Sequence, residues 1–98
     1  MEFEWDARKN ELNLANHGIT LEAAAYVFAD PNRLEIYDSK HSDMEDRYIT
    51  IGMLKSTLCI VYVSYTPRKE NVIRLISARK ANARERKAYY DQKEYRLK

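Results

Sequence analysis

The stretch Val72–Ala81 constrains the fold most, because it carries apolar residues on both faces, as a strand in the interior of a sheet does. Arg74, Arg79 and Lys80 nevertheless lie within this stretch or at its end. An unpaired charge is costly to bury, so these three residues require a carboxylate, a phosphate or solvent beside them. A helical pattern rich in Arg and Lys follows directly. A central strand that delivers cations to the start of a basic helix indicates a place to hold an anion.

Chain length and cysteine content limit the class of protein. With 98 residues in all, we expect a single domain, residues 1–98, with one modest core. Cys59 is the one cysteine, so no internal disulfide is expected. No apolar stretch approaches the roughly 20 residues of a membrane span, and the acidic N-terminal start does not resemble a signal peptide. We therefore expect a cytoplasmic protein with no membrane partner.

Charge is distributed unevenly along the chain. The net charge of +2 does not by itself suggest a nucleic-acid partner. Between Arg79 and Lys98, however, eight Lys or Arg residues stand against three acids, whereas the segment Asp38–Asp46 is acidic. A charge run of this kind is either a solvated helix face or a surface that binds a polyanion, and the two interpretations are equally supported.

The N-terminal third of the chain predicts two helices. Asp6 is an N-cap for a helix that runs to about His17 and stops at Gly18, a residue that suits the left-handed C-cap position. Thr20 is a second N-cap, and Asp30-Pro31 ends the second helix. A tight corner between the helices predicts an N-terminal helical hairpin.

The rest of the chain predicts strands and one further helix. Extended patterns predict strands at Arg33–Tyr37, Tyr48–Met53 and Leu58–Thr66, then a loop at Pro67–Asn71 that leads into the central strand. Consecutive strands with short links are antiparallel neighbours. Asn82 and Glu85 have the spacing of a capping box, which opens a C-terminal helix. The predicted fold class is α+β, with an antiparallel sheet of three to five strands.

The polar residues favour one reaction class. With two glycines in the chain, no Gly-rich phosphate loop is possible, and His17 and His41 stand apart without a Cys pair, so we expect neither a metal site nor a cofactor. Cations, tyrosines, His17 and a few acids fit metal-independent cleavage of RNA, in which the substrate 2′-hydroxyl is the nucleophile. That reaction requires a proton acceptor, a proton donor for the leaving oxygen and cations for the phosphate. Arg suits the third role, because its planar fork holds phosphate bidentately.

Several groups of residues have a distinctive order and spacing. They are Phe3-x-Trp5-Asp6-x-x-Lys9-x-x-x-Asn13-x-x-x-His17-Gly18-Ile19, then Ala24 with Phe28-x-Asp30-Pro31, then His41-Ser42-x-x-Glu45-x-Arg47 with Ile49-Thr50-Ile51-Gly52, and finally Arg74-x-Ile76-Ser77-Ala78-Arg79-Lys80-Ala81-x-x-x-Glu85-Arg86-x-x-Tyr89. Together they span residues 3–90, and they resemble the BrnT family of bacterial type II toxins. Asn16 departs from the basic residue that often precedes the His-Gly pair, and Thr20-Leu21 departs from a more usual Ser-Phe.

This resemblance implies a fold similar to the RelE-type ribonuclease toxins and an RNA-cleaving activity that inhibits translation in the bacterial cytoplasm. It also implies a cognate BrnA-like antitoxin with a ribbon-helix-helix DNA-binding part. Toxin and antitoxin would form a hetero-oligomer that contacts operator DNA only through the antitoxin. A non-catalytic nucleic-acid or protein binding module with the same fold stays open as the alternative.

The candidate site residues follow from the cation-bearing strand and from this resemblance. The candidate catalytic residues are Arg74, Arg79, Lys80, His17 and Glu85, and the candidate RNA-binding residues are Arg47, Arg84, Arg86 and Lys87. Each has a structural alternative: the arginines can pair with acids, Glu85 can cap the last helix, and His17 can favour the end of the first helix.

Strand geometry sets a condition on the arginines. Strict alternation places Arg74 and Arg79 on opposite faces of the strand and Lys80 on the face of Arg74. The two arginines converge on one substrate only if the strand ends or bulges near Ala78.

Overall fold

The structure, a computed structural model, describes residues 1–97, and Lys98, the last of the basic residues counted above, lies outside this range. Its strands are β1 (Glu2–Glu4), β2 (Leu34–Tyr37), β3 (Tyr48–Leu54), β4 (Cys59–Lys69) and β5 (Val72–Lys80). Its α-helices are α1 (Ala7–His17), α2 (Leu21–Ala24) and α3 (Ala83–Asp91), with short 3₁₀ helices at Ala25–Ala29 and Ser39–His41. The strands form one sheet in the order β1-β5-β4-β3-β2. The predicted α+β class is confirmed.

The N-terminal helices begin where their capping residues predict. The Asp6 carboxylate accepts hydrogen bonds from the backbone N–H groups of Arg8 (2.9 Å) and Lys9 (3.1 Å), and Gly18 ends α1 with φ of 70°. The Thr20 hydroxyl accepts from the N–H of Ala23 at 3.0 Å and starts α2. The second helix is shorter than predicted, because the chain tightens into a 3₁₀ helix after Ala24.

The sheet is mixed, so the prediction of a wholly antiparallel sheet is wrong. β1 pairs with β5 in parallel, with Glu2, Phe3 and Glu4 beside Val72, Ile73 and Arg74. The rule that neighbouring strands run antiparallel applies to strands with short links, whereas nearly the whole domain connects β1 to β5. The predicted closing helix is confirmed as α3, and its capping box joins Asn82 and Glu85.

The β4–β5 hairpin is longer than predicted. The sequence predicts a loop over Pro67–Asn71, whereas β4 continues to Lys69. Pro67 is tolerated there because the pairing register shifts between Pro67 and Lys69, and bulges are where sheets accommodate proline. Only Glu70 and Asn71 form the turn, and Asn71 adopts a positive φ of 66°, a conformation that Asn tolerates better than most residues.

A second register shift decides which side chains share a face of β5. Ser64 pairs with Ser77 and Tyr65 with Leu75, so Ile76 is an extra residue in β5. This bulge reverses the alternation, and Arg74 therefore lies on the same face as Arg79.

The same bulge overturns the predicted face of Lys80. Lys80 pairs with Val61, whose side chain belongs to the core on the opposite face from Arg74 and Arg79. The expectation that Lys80 shares the face of Arg74 is wrong, because it assumed an unbroken period of two along the strand.

Each face of the sheet has its own hydrophobic core. α1 and α2 cover one face, where Leu21, Ala24, Val27, Val61, Val63, Tyr65, Leu75 and Ala78 are buried. α3 and the segment after it cover the other face, where Ile49, Ile51, Ile60, Ala81, Tyr89 and Tyr95 are buried. No helix within residues 1–97 combines the length and the apolar character that a membrane crossing requires.

The buried amide of Asn13 ties α1 to the edge of β5. It donates to the carbonyls of Ile19 (2.7 Å) and Ala78 (2.8 Å) and accepts from the N–H of Ala78 at 3.0 Å. β1 is too short to pair with this end of β5, so the amide satisfies backbone groups that would otherwise lack a partner.

Candidate functional site

An open groove of about 1060 Å³ lies on the face of the sheet that carries α3. β2 and the 3₁₀ helix Ser39–His41 form one wall, and the start of α3 and the segment Gln92–Leu97 form the other. Tyr62 and Arg79 line it from adjacent strands, where they are paired in the register. We call this feature the α3 groove. Of the predicted site residues, Arg79, Arg84 and Glu85 line it.

A bidentate ion pair between Arg79 and Glu85 stands in the α3 groove. Arg79 Nη1 donates to Glu85 Oε1 at 2.8 Å, and Nη2 donates to Oε2 at 2.9 Å. The Glu85 side chain is only 2% exposed, whereas that of Arg79 is 36% exposed. The carboxylate therefore lies beneath the guanidinium. Two parallel N–H···O bonds fix the orientation of the planar guanidinium group.

The Arg79 guanidinium also stacks on Tyr62. Its central carbon lies 3.9 Å from the centroid of the tyrosine ring. Nη1 uses its second hydrogen on the carbonyl of Lys80 at 3.2 Å. The Nε–H and the second hydrogen of Nη2 have no partner among residues 1–97. A guanidinium that is partly exposed, fixed in orientation and has two N–H groups available is suited to bind an anion.

Glu85 is held in its ionised form. Burial raises the pKa of Glu85, but the hydrogen bonds from Arg79 and from the N–H of Asn82 (2.8 Å) outweigh it, and the net shift is downward. The Tyr95 hydroxyl adds a longer hydrogen bond of 3.4 Å. In turn, the hydrogen bond to Glu85 raises the pKa of Arg79. A carboxylate stabilised in this way is a poor proton acceptor, so the geometry favours a positioning role for Glu85.

A histidine–carboxylate pair lines the opposite wall of the groove. His41 Nδ1 lies 2.8 Å from Asp38 Oδ2, and the side chains are 59% and 8% exposed. The backbone of this turn is held in place, because the N–H of Asp38 donates to the carbonyl of Arg47 at 2.9 Å and the Ser42 hydroxyl donates to the carbonyl of Asp38 at 2.6 Å. A positioned imidazole is therefore available in the groove.

Two tyrosines of the groove, Tyr62 and Tyr95, are protonated at neutral pH. Burial is the main cause that raises the pKa of Tyr62, and the nearby Glu85 and Asp38 carboxylates raise it further. Burial and the Glu85 charge likewise raise the pKa of Tyr95. Both hydroxyls can therefore donate hydrogen bonds. Neither is suited to accept a proton, because each already carries one.

The charge of the groove is mixed. Its cationic residues are Lys40, Arg79, Arg84, Lys93 and Arg96, and its carboxylates are Glu35, Asp38, Glu85 and Glu94. Two of these carboxylates, Asp38 and Glu85, are buried and already paired with groove residues. The exposed charge is consequently weighted toward cations, as a surface that binds phosphate requires.

Arg74 and Arg47 lie outside the groove, in a separate chain of ion pairs. Arg74 donates to Glu4 at 2.7 Å, and Arg68 stands between Glu4 (3.7 Å) and Glu45 (3.9 Å). Arg47 pairs with Glu45 at 3.4 Å. None of these five residues lines the α3 groove. Although the bulge places Arg74 and Arg79 on one face, the structure does not bring them together.

The other predicted residues also lie outside the groove. His17 is exposed at the end of α1, and Lys80 is exposed on the opposite face of β5 from Arg79. Arg86 donates to the carbonyl of Ala81 at 2.7 Å, and Lys87 pairs with Asp91 at 2.8 Å on the outside of α3.

Sequence reasoning missed Asp38, His41 and Tyr62 as groove residues. His41 stands in one of the motifs that carry the resemblance, but its separation from His17 argues only against a metal site. Tyr62 is found by pairing β4 with β5, which places it directly beside Arg79. Within residues 1–97, no group of three or more His, Cys, Asp or Glu side chains is arranged to hold a metal ion.

Comparison with known proteins relates the chain to one family. A sequence model described as "Ribonuclease toxin, BrnT, of type II toxin-antitoxin system" matches residues 5–85. The fold matches the 1.1 Å crystal structure of the Brucella abortus ribonuclease toxin BrnT with a TM-score of 0.62 and 24% sequence identity, over 84% of this chain and 97% of that one. No match was found among the curated proteins. The structural match supports the five-stranded α+β fold.

Proposed function

The chain belongs to the BrnT family of ribonuclease toxins from type II toxin–antitoxin systems, and we propose that it is an endoribonuclease toxin that cleaves RNA in the α3 groove without a metal ion. Cleavage of RNA would inhibit translation, and a cognate antitoxin would neutralise it. The observation that carries this proposal is Arg79, which is oriented by Glu85 and stacked on Tyr62, with two N–H donors directed to no residue among those described.

The proposed chemistry uses the 2′-hydroxyl of the RNA as nucleophile. Its oxygen attacks the adjacent phosphorus, the bond to the 5′ oxygen breaks, and the products end in a 2′,3′-cyclic phosphate and a 5′-hydroxyl. Arg79 would bind a non-bridging phosphate oxygen and stabilise the charge that grows there in the transition state. The exposed cations Arg84, Lys40 and Lys93 line the same groove and would hold neighbouring phosphates.

The roles of the other predicted residues divide by position. We propose that Glu85 positions Arg79 and that Arg84 binds RNA, because both line the groove. Arg74, Lys80 and His17, predicted as catalytic, and Arg47, Arg86 and Lys87, predicted as RNA-binding, lie elsewhere on the described surface, and we propose no catalytic contact for them.

A protein partner is part of the proposal. The type II class to which the family belongs implies a protein antitoxin. We propose that it is BrnA-like, with a ribbon-helix-helix part that contacts operator DNA, and that toxin and antitoxin form a hetero-oligomer in the bacterial cytoplasm. The proposal extends to a RelE-like fold, which the resemblance of the motifs supports.

One observation favours the alternative of a non-catalytic binding module. Glu85 already neutralises Arg79 through two hydrogen bonds, as it would in a purely structural ion pair. Such a module would bind RNA or protein through the groove and cleave nothing.

Cleavage of purified RNA without ribosomes, in EDTA, tests the proposal. Wild type is compared with Arg79→Ala and with Arg74→Ala, a matched control that removes an arginine of the same strand and face outside the groove. We expect wild type and Arg74→Ala to cleave and folded Arg79→Ala to lose about 100-fold or more of the rate. Equal cleavage by all three would overturn the site, and cleavage abolished by EDTA would overturn metal independence. RNA that is bound but uncut, with or without ribosomes, would establish the binding module.

A further inference from the structure

We infer that His41, held by Asp38, is the residue that accepts the 2′-hydroxyl proton in the α3 groove. The inference rests on the proposed function and deepens it by naming a catalytic residue that neither the motifs nor the charge pattern assigned. It starts from the geometry of the pair: Nδ1 of His41 lies 2.8 Å from a buried Asp38 oxygen, while the imidazole itself is largely exposed in the groove.

The pair fixes which ring nitrogen is available. An ionised carboxylate only accepts hydrogen bonds, so Asp38 selects the tautomer in which Nδ1 carries the hydrogen. Nε2 then carries a lone pair. A carboxylate that orients an imidazole in this way also stabilises the imidazolium cation that forms when Nε2 takes a proton.

Further hydrogen bonds hold the turn that carries the pair. Besides the bonds to Asp38 described above, the Ser42 hydroxyl accepts from the N–H of Arg47 at 3.0 Å, and the N–H of His41 donates to the carbonyl of Asp38 at 3.3 Å. These bonds cross-link the turn to the start of β3. A catalytic base must hold its position closely, and these hydrogen bonds restrain the turn that carries His41.

Several other side chains of the groove are poorly suited to the role. Glu85 is locked into its pair with Arg79, and Tyr62 keeps its proton at neutral pH. The Lys and Arg residues are already protonated. His17 is the other histidine of the chain, and it does not line the groove. Imidazole is the side chain that exchanges protons most readily near neutral pH.

The step balances without a further reagent. The 2′ O–H bond breaks and its proton goes to Nε2 of His41, while the oxygen forms a bond to phosphorus. The P–O5′ bond breaks, its electron pair stays on the 5′ oxygen, and that oxygen takes a proton from water. His41 later returns its proton to solvent.

Variants of His41 and one modified substrate test the inference. His41→Ala removes the imidazole, and His41→Asn keeps an N–H donor for Asp38 in case the alanine variant does not fold. His17→Ala is the matched control, an exposed histidine outside the groove. We expect both His41 variants to lose about 100-fold or more in cleavage rate and to bind a 2′-deoxy substrate analogue as wild type does. Free imidazole should restore part of the lost rate in His41→Ala.

A substrate with sulfur in place of the 5′ leaving oxygen separates acceptor from donor. Sulfur leaves without protonation, so the loss in the His41 variants should persist on it. A loss that disappears on this substrate would show that His41 protonates the leaving group and would overturn the assignment. Full activity of the His41 variants beside an active wild type would overturn the inference alone. An inactive wild type would overturn the proposed function, and the inference with it.

Discussion

Arg79 and Glu85 are joined by two parallel hydrogen bonds across the corner between β5 and α3. Glu85 is also the acid of the capping box that starts α3, where its Oε1 accepts from the N–H of Asn82 at 2.8 Å. One buried carboxylate therefore begins the helix and orients the guanidinium in the groove. Helix start and candidate phosphate contact depend on the same residue.

Replacement of Glu85 by Gln should lower both stability and cleavage. The amide cannot hold Arg79 by two charge-assisted hydrogen bonds, and we expect unfolding free energy to fall by about 2 kcal/mol. Urea denaturation measures this change. Cleavage should fall because the guanidinium loses its fixed orientation. Glu94→Gln is the control, since Glu94 is an exposed carboxylate of the same groove, and it should alter neither quantity.

The effect of Glu85 on stability should depend on pH. Its pKa is lowered in the folded state from an ordinary value of 4.5, so ionised Glu85 stabilises the fold above that pH. This contribution is lost as the pH falls below 4.5 and through the folded pKa. Wild type and Glu85→Gln should therefore converge in acid. A stability difference that stays constant from neutral pH into this range would contradict the assignment.

Arg84 and Lys87 should differ in their effect on RNA binding. Arg84 lines the groove and stacks on Tyr95 at 4.2 Å, whereas Lys87 pairs with Asp91 outside it. Arg84→Ala should weaken binding and reduce the slope of log affinity against log salt by about 0.7, the value for one phosphate contact with a single strand. Lys87→Ala should leave the slope unchanged. Titrations of an uncleavable RNA at several salt concentrations measure both, and equal slopes for the two variants would argue against the groove as the binding surface.

Asn13→Ala should destabilise the domain by about 3 kcal/mol. The substitution leaves the buried N–H and carbonyl of Ala78 and the carbonyl of Ile19 without their partner, and each unsatisfied group costs about 1–3 kcal/mol unless it relaxes toward water. Asn16→Ala, at an exposed position of the same helix, is the control. Urea denaturation distinguishes them, and a loss in Asn13→Ala no larger than that in Asn16→Ala would contradict the role given to the contact with β5.

Features set by neighbouring residues were predictable from the sequence. The bounds of α1 follow from Asp6 and Gly18, and the start of α3 follows from Asn82 and Glu85, because capping depends on side chains within three residues of the backbone groups they satisfy. The antiparallel β3–β4–β5 meander follows from short links between extended patterns.

Features set by distant residues were not predictable in the same way. The bulge at Ile76 exists only in relation to β4, and it decides that Arg74 shares the face of Arg79 while Lys80 does not. Likewise, nothing near Arg74 in sequence reveals that Glu4 pairs with it from a parallel strand. The groove brings His41, which follows the edge strand β2, and Arg79 of β5 to one cavity. The local sequence pattern does not encode this juxtaposition.

Tyr89→Phe should destabilise the domain by about 2 kcal/mol at neutral pH, because it removes a hydrogen bond to a charged group. The Tyr89 hydroxyl donates to Asp30 Oδ2 at 2.5 Å, and the same oxygen accepts from the N–H of Met53 at 2.8 Å. Asp30 therefore connects α3 to β3 and to the end of the 3₁₀ helix Ala25–Ala29. Burial and this hydrogen bond raise the pKa of Tyr89 to about 12 from an ordinary value of 10.0. A raised pKa means that the contribution is complete below pH 10.0 and is lost as the pH rises toward 12.

Tyr90→Phe is the matched control for this prediction, since Tyr90 is the next residue of α3 and is 62% exposed. It should leave the unfolding free energy unchanged at every pH. The measurement is chemical denaturation of wild type and both variants from neutral pH to the alkaline limit of reversible folding. The difference between wild type and Tyr89→Phe should shrink above pH 10.0, where the hydroxyl ionises first in the unfolded chain. No loss in Tyr89→Phe would show that the aromatic ring alone holds α3 against the sheet. A loss of equal size in both variants would show that the contact with Asp30 is not its cause.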